Sequence, residues 1–84
     1  MQINVLFFAA ARERAGTDEQ SLTLVDGATV SQALTAIVSA YPAVEPLLPY
    51  LRVAVDEVFE SDLSRVLRPG AELALIPPVS GGAP

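Results

Sequence analysis

The chain has 84 residues, of which 51% are hydrophobic and 18% are charged, and it carries a formal net charge of −5. This length supports one small domain, and this composition is typical of a globular rather than a disordered chain. The acidic balance argues against nucleic acid as a partner, since phosphates recruit basic surfaces, and it suits steering toward a basic protein surface.

The first quarter of the chain predicts two paired strands around a short helix. Residues 2–8 are rich in β-branched and aromatic side chains, and residues 19–25 alternate polar with apolar, so both stretches are typical of strands. Between them, Ala9–Ala15 predicts a short helix that stops at Gly16. Asp26-Gly27 then marks a turn.

The main helix carries the clearest local signals. Thr29 and Gln32 form a capping box, in which each side chain satisfies a backbone N–H of the first helical turn. Tyr41-Pro42 ends the helix, because the residue before a proline is disfavoured in helical geometry. One apolar stripe follows from the helical spacing of Val30, Ala33, Leu34, Ile37 and Val38.

Beyond the helix, the sequence predicts a short region held irregular, or in one short turn, by Pro46 and Pro49. The elements predicted next are a strand at 51–55, a turn at Asp56-Glu57, a return strand starting at Val58-Phe59, a turn at 68–71 and a last strand at Glu72–Ile76. Residues 61–67 carry no decisive pattern. The order ββαβββ predicts an α+β, β-grasp (ubiquitin-like) fold, a mixed sheet of four to five strands with one main helix packed on one face.

We therefore expect a β-grasp domain at residues 1–76 and an extended C-terminal tail at residues 77–84. The tail reads Pro-Pro-Val-Ser-Gly-Gly-Ala-Pro, and its prolines forbid a helix. The two glycines lack a Cβ, so backbone there can enter a channel too narrow for other residues. Residues 77–82 would reach about 20 Å from the body. Such an arm suits chemistry at a terminal carboxylate inside another protein's active site.

The absence of cysteine and histidine limits the reactions that the chain could catalyse. Without cysteine or histidine, the chain has no thiolate nucleophile, no Cys/His zinc site and no histidine general base. Its five glycines match no nucleotide-binding spacing. No apolar run approaches the length that spans a membrane, and the N-terminus lacks signal-peptide features, so we expect a cytoplasmic protein. The chain on its own is a poor candidate for an enzyme.

Several stretches resemble one known family across nearly the whole chain. They are the opening Val5-Leu6-Phe7-Phe8-Ala9 with Arg12-Glu13 and Gly16-Thr17-Asp18, the helix start Thr29-Val30 with Ala33-Leu34, the strand pair Ala54-Val55, the stretch Leu67-x-Pro69-Gly70-x-Glu72-Leu73-Ala74, and the ending Pro77-Pro78-Val79-Ser80-Gly81-Gly82. In these features the chain resembles the small, sulfur-carrying subunits of molybdopterin synthase, which are ubiquitin-like proteins.

The resemblance implies a role in building the molybdenum cofactor. An E1-like adenylating enzyme would use ATP to activate the carboxylate of Gly82, which follows Gly81, and a persulfide donor would convert that carboxylate to a thiocarboxylate. The tail, through Pro77, Pro78, Val79 and Ser80, would enter the large subunit and donate sulfur to cyclic pyranopterin monophosphate. The chain itself would be non-catalytic, with no permanently bound cofactor and no metal.

The chain departs from the family pattern at three places. Asp56 and Ala71 replace residues common in the family, and both positions are turn variants with little functional weight. Ala83-Pro84 extends the chain past the second glycine, where family members normally end. A native extension removed by a protease, the junction of a fusion to the large subunit, and an engineered or divergent end are all open origins for these two residues.

Strand parity predicts a docking face. Side chains alternate along a strand, so the series of Ile3, Val5 and Phe7 would lie beneath the helix. The opposite, uncovered face would carry Leu6, Phe8, Ala74 and Ile76. An exposed apolar patch of this kind usually marks an interface. The resemblance assigns Phe8, Phe59 and Ile76 to contact with the large subunit, and the alternative is that these residues belong to the core or to a covering loop.

Other functions stay open at this point. A carrier for another pathway, such as thiamine or sulfur amino-acid synthesis, shares the same chemistry. A ubiquitin-like modifier would instead form amide bonds with lysines of target proteins. A binding-only β-grasp module would have an inert tail.

Overall fold

The computed structural model describes residues 1–78, which form one five-stranded mixed sheet with three helical segments. The strands are ordered β2-β1-β5-β3-β4 across the sheet. The elements in chain order are β1 (Gln2–Phe7), α1 (Ala9–Ala15), β2 (Glu19–Thr23), α2 (Val30–Ala40), a 3₁₀ helix (Pro42–Tyr50), β3 (Arg52–Val55), β4 (Val58–Glu60) and β5 (Glu72–Ile76). The predicted β-grasp fold is confirmed.

The sheet is mixed because its first and last strands run side by side in the same direction. β1 pairs with β5 in parallel, whereas β1–β2, β3–β4 and β3–β5 are antiparallel. In the central register, Val5 lies opposite Leu73, and Leu75 lies opposite Val53. These four side chains are buried, and they form the floor of the core.

The core fills the space between one sheet face and the helices. Ile3, Val5 and Phe7 are almost fully buried, which confirms the predicted inward face of β1. The helical segments and loops cover them with Ala11, Val30, Ala33, Ile37, Val44 and Leu67. Burial of such apolar surface is the main stabilising force of so small a domain.

Both ends of α2 follow the sequence signals. The backbone N–H of Gln32 donates to Thr29 Oγ1 at 3.2 Å, and the backbone N–H of Thr29 donates to Gln32 Oε1 at 2.8 Å, so the capping box is formed. Tyr41 caps the other end and places its ring edge against Phe7, with ring centroids 5.3 Å apart. The main helix is thereby tied to the first strand.

Left-handed backbone geometry ends α1 and forms the β3–β4 turn. Gly16 ends α1 with φ of 76°, the conformation that a glycine adopts without a Cβ penalty. Asp56 and Glu57 join β3 to β4 with φ of 51° and 72°, as a two-residue hairpin requires. Asp56 adds a tie to the last strand, since its Oδ1 accepts the backbone N–H of Glu72 at 2.9 Å.

The structure differs from the sequence prediction in the proline-rich segment after α2. Pro42–Tyr50 forms a nine-residue 3₁₀ helix rather than an irregular stretch or a single short turn, so that prediction is wrong. Proline favours a φ near that of 3₁₀ geometry, so prolines at several positions permit a tight helix while excluding a long α-helix. The buried side chain of Val44 anchors this segment to the core.

Residues 61–67, which carried no decisive pattern, form an irregular connection pinned beside α2. Val66 bridges to Thr29, and the backbone N–H of Leu67 donates to the Ala28 carbonyl at 2.8 Å. The Leu67 side chain is buried. This stretch therefore holds the start of the main helix against the sheet.

Thr29→Ala should lower the free energy of unfolding by about 1 kcal/mol, because it leaves an N–H of the first turn of α2 without its cap. Urea denaturation followed by circular dichroism measures this loss. Thr35→Ala is the matched control, since Thr35 lies exposed within the same helix and its hydroxyl bonds only to the Ser31 carbonyl. Equal losses in the two variants would show that the capping box contributes nothing specific.

Candidate functional site

One face of the sheet is left open by the helices. The strand registers align Leu6, Ala74, Ala54 and Phe59 in a single row that crosses four strands. The helical segments pack on the other face, where the core lies. We call this surface the open face, and three of the site residues predicted from the sequence lie on it: Phe8, Phe59 and Ile76.

A second row lies next to the first, toward the end of β5. Ile76 is the cross-strand neighbour of Arg52. Phe8 continues β1 with an extended backbone, and its N–H donates to the Leu75 carbonyl at 3.2 Å. Because alternation carries on through Phe8, its side chain lies on the open face next to Ile76. Phe8 and Phe59 are 45% and 54% exposed, so the aromatic side chains dominate the accessible apolar surface.

The residues that parity placed on the uncovered face do lie there, but they are exposed to different degrees. Leu6 and Ile76 are half-buried, and Ala74 is buried with 6% exposure. A small side chain in a central strand is shielded by the larger residues beside it. Ala54 and Ala74 therefore form a flat floor between the projecting rings of Phe8 and Phe59. Whether these rings contact a partner stays a prediction.

The sequence reasoning did not single out Arg52. Its guanidinium lies 4.0 Å from the centroid of the Phe59 ring, which is a cation–π contact. Alternation along residues 51–55 would have placed Arg52 on the same face as Ala54. The contact with Phe59 could not be predicted from the sequence, because it depends on the register between β3 and β4.

The opposite end of the open face is polar and acidic. Asn4 lies opposite Glu72 in β5 and Ser21 in β2, and its side-chain amide donates to Glu19 Oε2 at 2.7 Å. The open face is thus divided into two ends. We call the part formed by Phe8, Phe59, Ile76 and Arg52 the apolar end, and the part around Asn4 the acidic end.

The chain leaves the sheet at the apolar end. β5 ends at Ile76, Pro77 is buried, and Pro78 is exposed. The other predicted tail residues, Val79, Ser80, Gly81 and Gly82, lie outside the described residues, as do Ala83 and Pro84. The division into a domain of residues 1–76 and a tail of residues 77–84 stays a prediction.

A cleft of about 510 Å³ adjoins the apolar end. Arg52 and Phe59 form part of its wall, so the open face continues into it. Further apolar walls come from Leu34 of α2, Leu48 of the 3₁₀ helix, Leu51 just after that helix and Leu63 of the loop after β4. The arrangement can therefore bind an apolar surface.

Hydrogen bonds to the carboxylates of Glu60 and Asp62 hold the loop that follows β4. Arg65 donates from its guanidinium to Glu60 Oε1 at 2.9 Å, and this bond is the first cause that keeps the pKa of Glu60 below its usual value. The Ser64 hydroxyl and backbone N–H both donate to Asp62, which lowers the pKa of Asp62. These bonds organise the chain next to Phe59.

Within residues 1–78, no three acidic side chains come together as metal ligands. No helix in the same part of the chain is long and apolar enough to cross a membrane. The open face offers an accessible apolar surface beside the point where β5 ends.

Comparison with known proteins agrees with this arrangement. The profile of the ThiS family matches residues 5–82. The chain is 40% identical over 83 residues to the molybdopterin synthase sulfur carrier subunit of Chlamydomonas reinhardtii, covering 98% of this chain and 100% of that protein.

Solved structures share the fold. SAMP1 from Haloferax volcanii superposes with a TM-score of 0.90 and 32% identity, covering 98% of this chain and 100% of that one. The complex of subunits 1 and 2 of molybdopterin-converting factor from Helicobacter pylori matches with a TM-score of 0.70 and 22% identity. That match covers 94% of this chain and 96% of that one, and its identity is low enough that it shows the fold alone.

Arg65→Gln should raise the pKa of Glu60, because it removes the hydrogen bond that holds this pKa down. A carboxyl whose pKa is lowered by folding stabilises the protein above its unfolded pKa and loses that effect as pH falls. The stability difference between wild type and variant should therefore be present above the unfolded-state pKa of Glu60 and shrink as the pH falls through its lowered folded-state pKa. NMR titration of the Glu60 carboxyl and denaturation at several pH values measure both effects.

Arg68→Gln is the control for this titration, since Arg68 lies near Asp56 and not near Glu60. It should leave the Glu60 titration curve in place. An identical Glu60 pKa in wild type and Arg65→Gln would contradict the assignment of this ion pair.

Proposed function

Since the chain belongs to the ThiS family, we propose that it is the sulfur carrier of a molybdopterin synthase and that Gly82 is its reactive end. The observation that carries this proposal is the place where the last strand ends. β5 delivers Pro77 and Pro78 beside the apolar end, and Gly82 follows Pro78 four residues later in the sequence. The 40% sequence identity to a molybdopterin synthase sulfur carrier subunit, in an alignment that covers 98% of this chain, supports the choice of pathway.

In the proposed cycle, the chemistry takes place on the main chain. The carboxylate of Gly82 attacks ATP in an E1-like adenylating enzyme, which forms an acyl adenylate and releases pyrophosphate. The outer sulfur of a persulfide donor then attacks the acyl adenylate and releases AMP, which forms an acyl disulfide. A second thiol of the donor cleaves the S–S bond, so the donor ends as a disulfide and the chain ends as a C-terminal thiocarboxylate. The large subunit accepts the tail and uses this sulfur on cyclic pyranopterin monophosphate.

This division of labour accounts for a chain without cysteine or histidine. The sulfur is carried by the terminal carbonyl, so no side-chain thiol is needed, and the partners supply the acids, bases and phosphate-binding cations. We propose a non-catalytic subunit with no permanently bound cofactor, in which ATP belongs to the adenylating partner. A chain without disulfides fits a reducing compartment, and the cytoplasm is the location we propose.

The cycle requires that Gly82 be terminal. In the chain as written, the Gly82 carbonyl is in a peptide bond with Ala83, so it has no carboxylate to activate. Removal of Ala83-Pro84 is therefore the first step that we propose.

A ubiquitin-like modifier is the second candidate, and it is favoured by the likeness to SAMP1, the small archaeal modifier protein 1 of Haloferax volcanii. A modifier shares the adenylation step, but its terminal carbonyl passes to lysine amines of target proteins. This chain has no lysine and offers no such acceptor itself. Isopeptide-linked ladders on other proteins in cells would favour the modifier, whereas thiocarboxylate detected by intact mass without ladders would favour the carrier.

Phe8→Asp and Phe59→Asp should each abolish binding to the molybdopterin synthase large subunit. A charge in the dry centre of an interface costs about 2 kcal/mol or more, while on an open sheet face it costs the fold little. Isothermal titration calorimetry measures the affinity, and circular dichroism reports the fold.

Val58→Asp is the matched control, since Val58 neighbours Phe59 in β4, points to the opposite side of the strand and is 63% exposed. It should bind as wild type does. Unchanged affinity in both phenylalanine variants would remove the open face from the proposed interface.

Chains that end at Pro84 and at Gly82 should differ as substrates of the adenylating enzyme. Only the chain ending at Gly82 should release pyrophosphate from ATP, because only that chain presents the glycine carboxylate. A chain that ends at Ala83 is the control and should be inactive. Equal pyrophosphate release from all three chains would show that Gly82 is not the reactive end.

A further inference from the structure

Arg52 is a cation set in the apolar end of the open face. It is exposed, its cross-strand neighbour is Ile76, and its guanidinium lies over the ring of Phe59. Three other arginines each contact an oxygen: Arg14 the Ala43 carbonyl, Arg65 Glu60 and Arg68 Asp56. Within residues 1–78, Arg52 makes no hydrogen bond or ion pair of its own.

The contact with Phe59 prepares Arg52 for binding. A guanidinium held over an aromatic ring has lost part of its rotamer freedom before a partner arrives, so ordering it in a complex is less costly. Its N–H donors are still available for a ligand. Arginine in this state is typical of the few residues that dominate a protein interface.

Docking on the apolar end must also change the surroundings of Arg52. A partner that covers Phe8, Phe59 and Ile76 removes water from the guanidinium between them. A guanidinium that loses its water without gaining an acceptor is strongly destabilising. A carboxylate matches the fork of guanidinium N–H groups with two parallel hydrogen bonds. The surface that covers the apolar end therefore needs an Asp or Glu at this point.

We propose that Arg52 is a specificity-determining contact of the open face, and that the partner places a carboxylate against it among apolar side chains. This inference rests on the proposed function and takes the large subunit as the partner. It also predicts the orientation of docking. A partner turned end to end would bring the same carboxylate toward Asn4 and Glu72, where Glu72 repels it and the cation Arg68 is already paired with Asp56.

Arg52→Gln in the full chain tests the proposal, with the large subunit from the same organism as the probe. Calorimetry should show affinity reduced about tenfold or more, as for removal of one member of a desolvated charge pair. The affinity of the variant should also depend less on salt than that of wild type. Arg52→Lys should lie between the two, because it keeps the charge but loses the planar fork.

Arg68→Gln is the control, because it removes the same charge from the turn before β5, away from the apolar end. Circular dichroism checks that each variant is folded. Affinity of Arg52→Gln within twofold of wild type, or an equal loss in Arg68→Gln, would overturn the inference while leaving the proposed function intact. A folded wild-type chain that does not bind the large subunit would overturn both.

A charge swap identifies the partner residue. Arg52→Glu should bind weakly, and replacing one Asp or Glu of the large subunit by Arg should restore its affinity. The same replacement should weaken binding of the wild-type chain. If no acidic residue of the large subunit shows this reciprocal behaviour, the proposed carboxylate contact is wrong.

Discussion

The parallel pairing of β1 with β5 is the constraint on which the rest of the structure depends. It joins the two ends of the described chain, with Leu6 opposite Ala74 and the Gly70 N–H bonded to the Gln2 carbonyl at 2.7 Å. Parallel strands need a long crossover, and here the crossover contains the other three strands and the main helix. The same pairing places Phe8 beside the end of β5, so one contact builds the core and aligns the candidate site.

The open face is a consequence of small size. The three helical segments cover a single side of the five-stranded sheet, and they leave the other side to solvent. Such a small domain buries a limited share of its surface. The aromatic rings of Phe8 and Phe59 on the open side are therefore not covered by a second core. Small alanines at positions 54 and 74 keep the middle of that face flat. The surplus apolar surface thereby becomes a place where another protein can bind.

The distribution of charge makes the two ends of the open face different, so that a docking partner can distinguish them. The chain is acidic, with a formal net charge of −5, yet the cation Arg52 lies at the end where the tail departs. Glu72 and the Asn4–Glu19 pair occupy the opposite end. Apolar contact supplies affinity without direction, whereas charge pairs select orientation. For a protein whose proposed reactive group is its own terminus, orientation decides whether that terminus meets the substrate.

The sequence by itself determined the features whose signals lie within a few residues of each other. The capping box of Thr29 and Gln32, the stop at Gly16 and the inward series of β1 were all predictable, because they depend on local hydrogen bonds and on strand alternation. Only the tertiary structure decided the 3₁₀ geometry of Pro42–Tyr50, the burial of Ala74 and the contact of Arg52 with Phe59. These depend on which strands become neighbours and in which register, and that choice is made by packing between residues far apart in the chain.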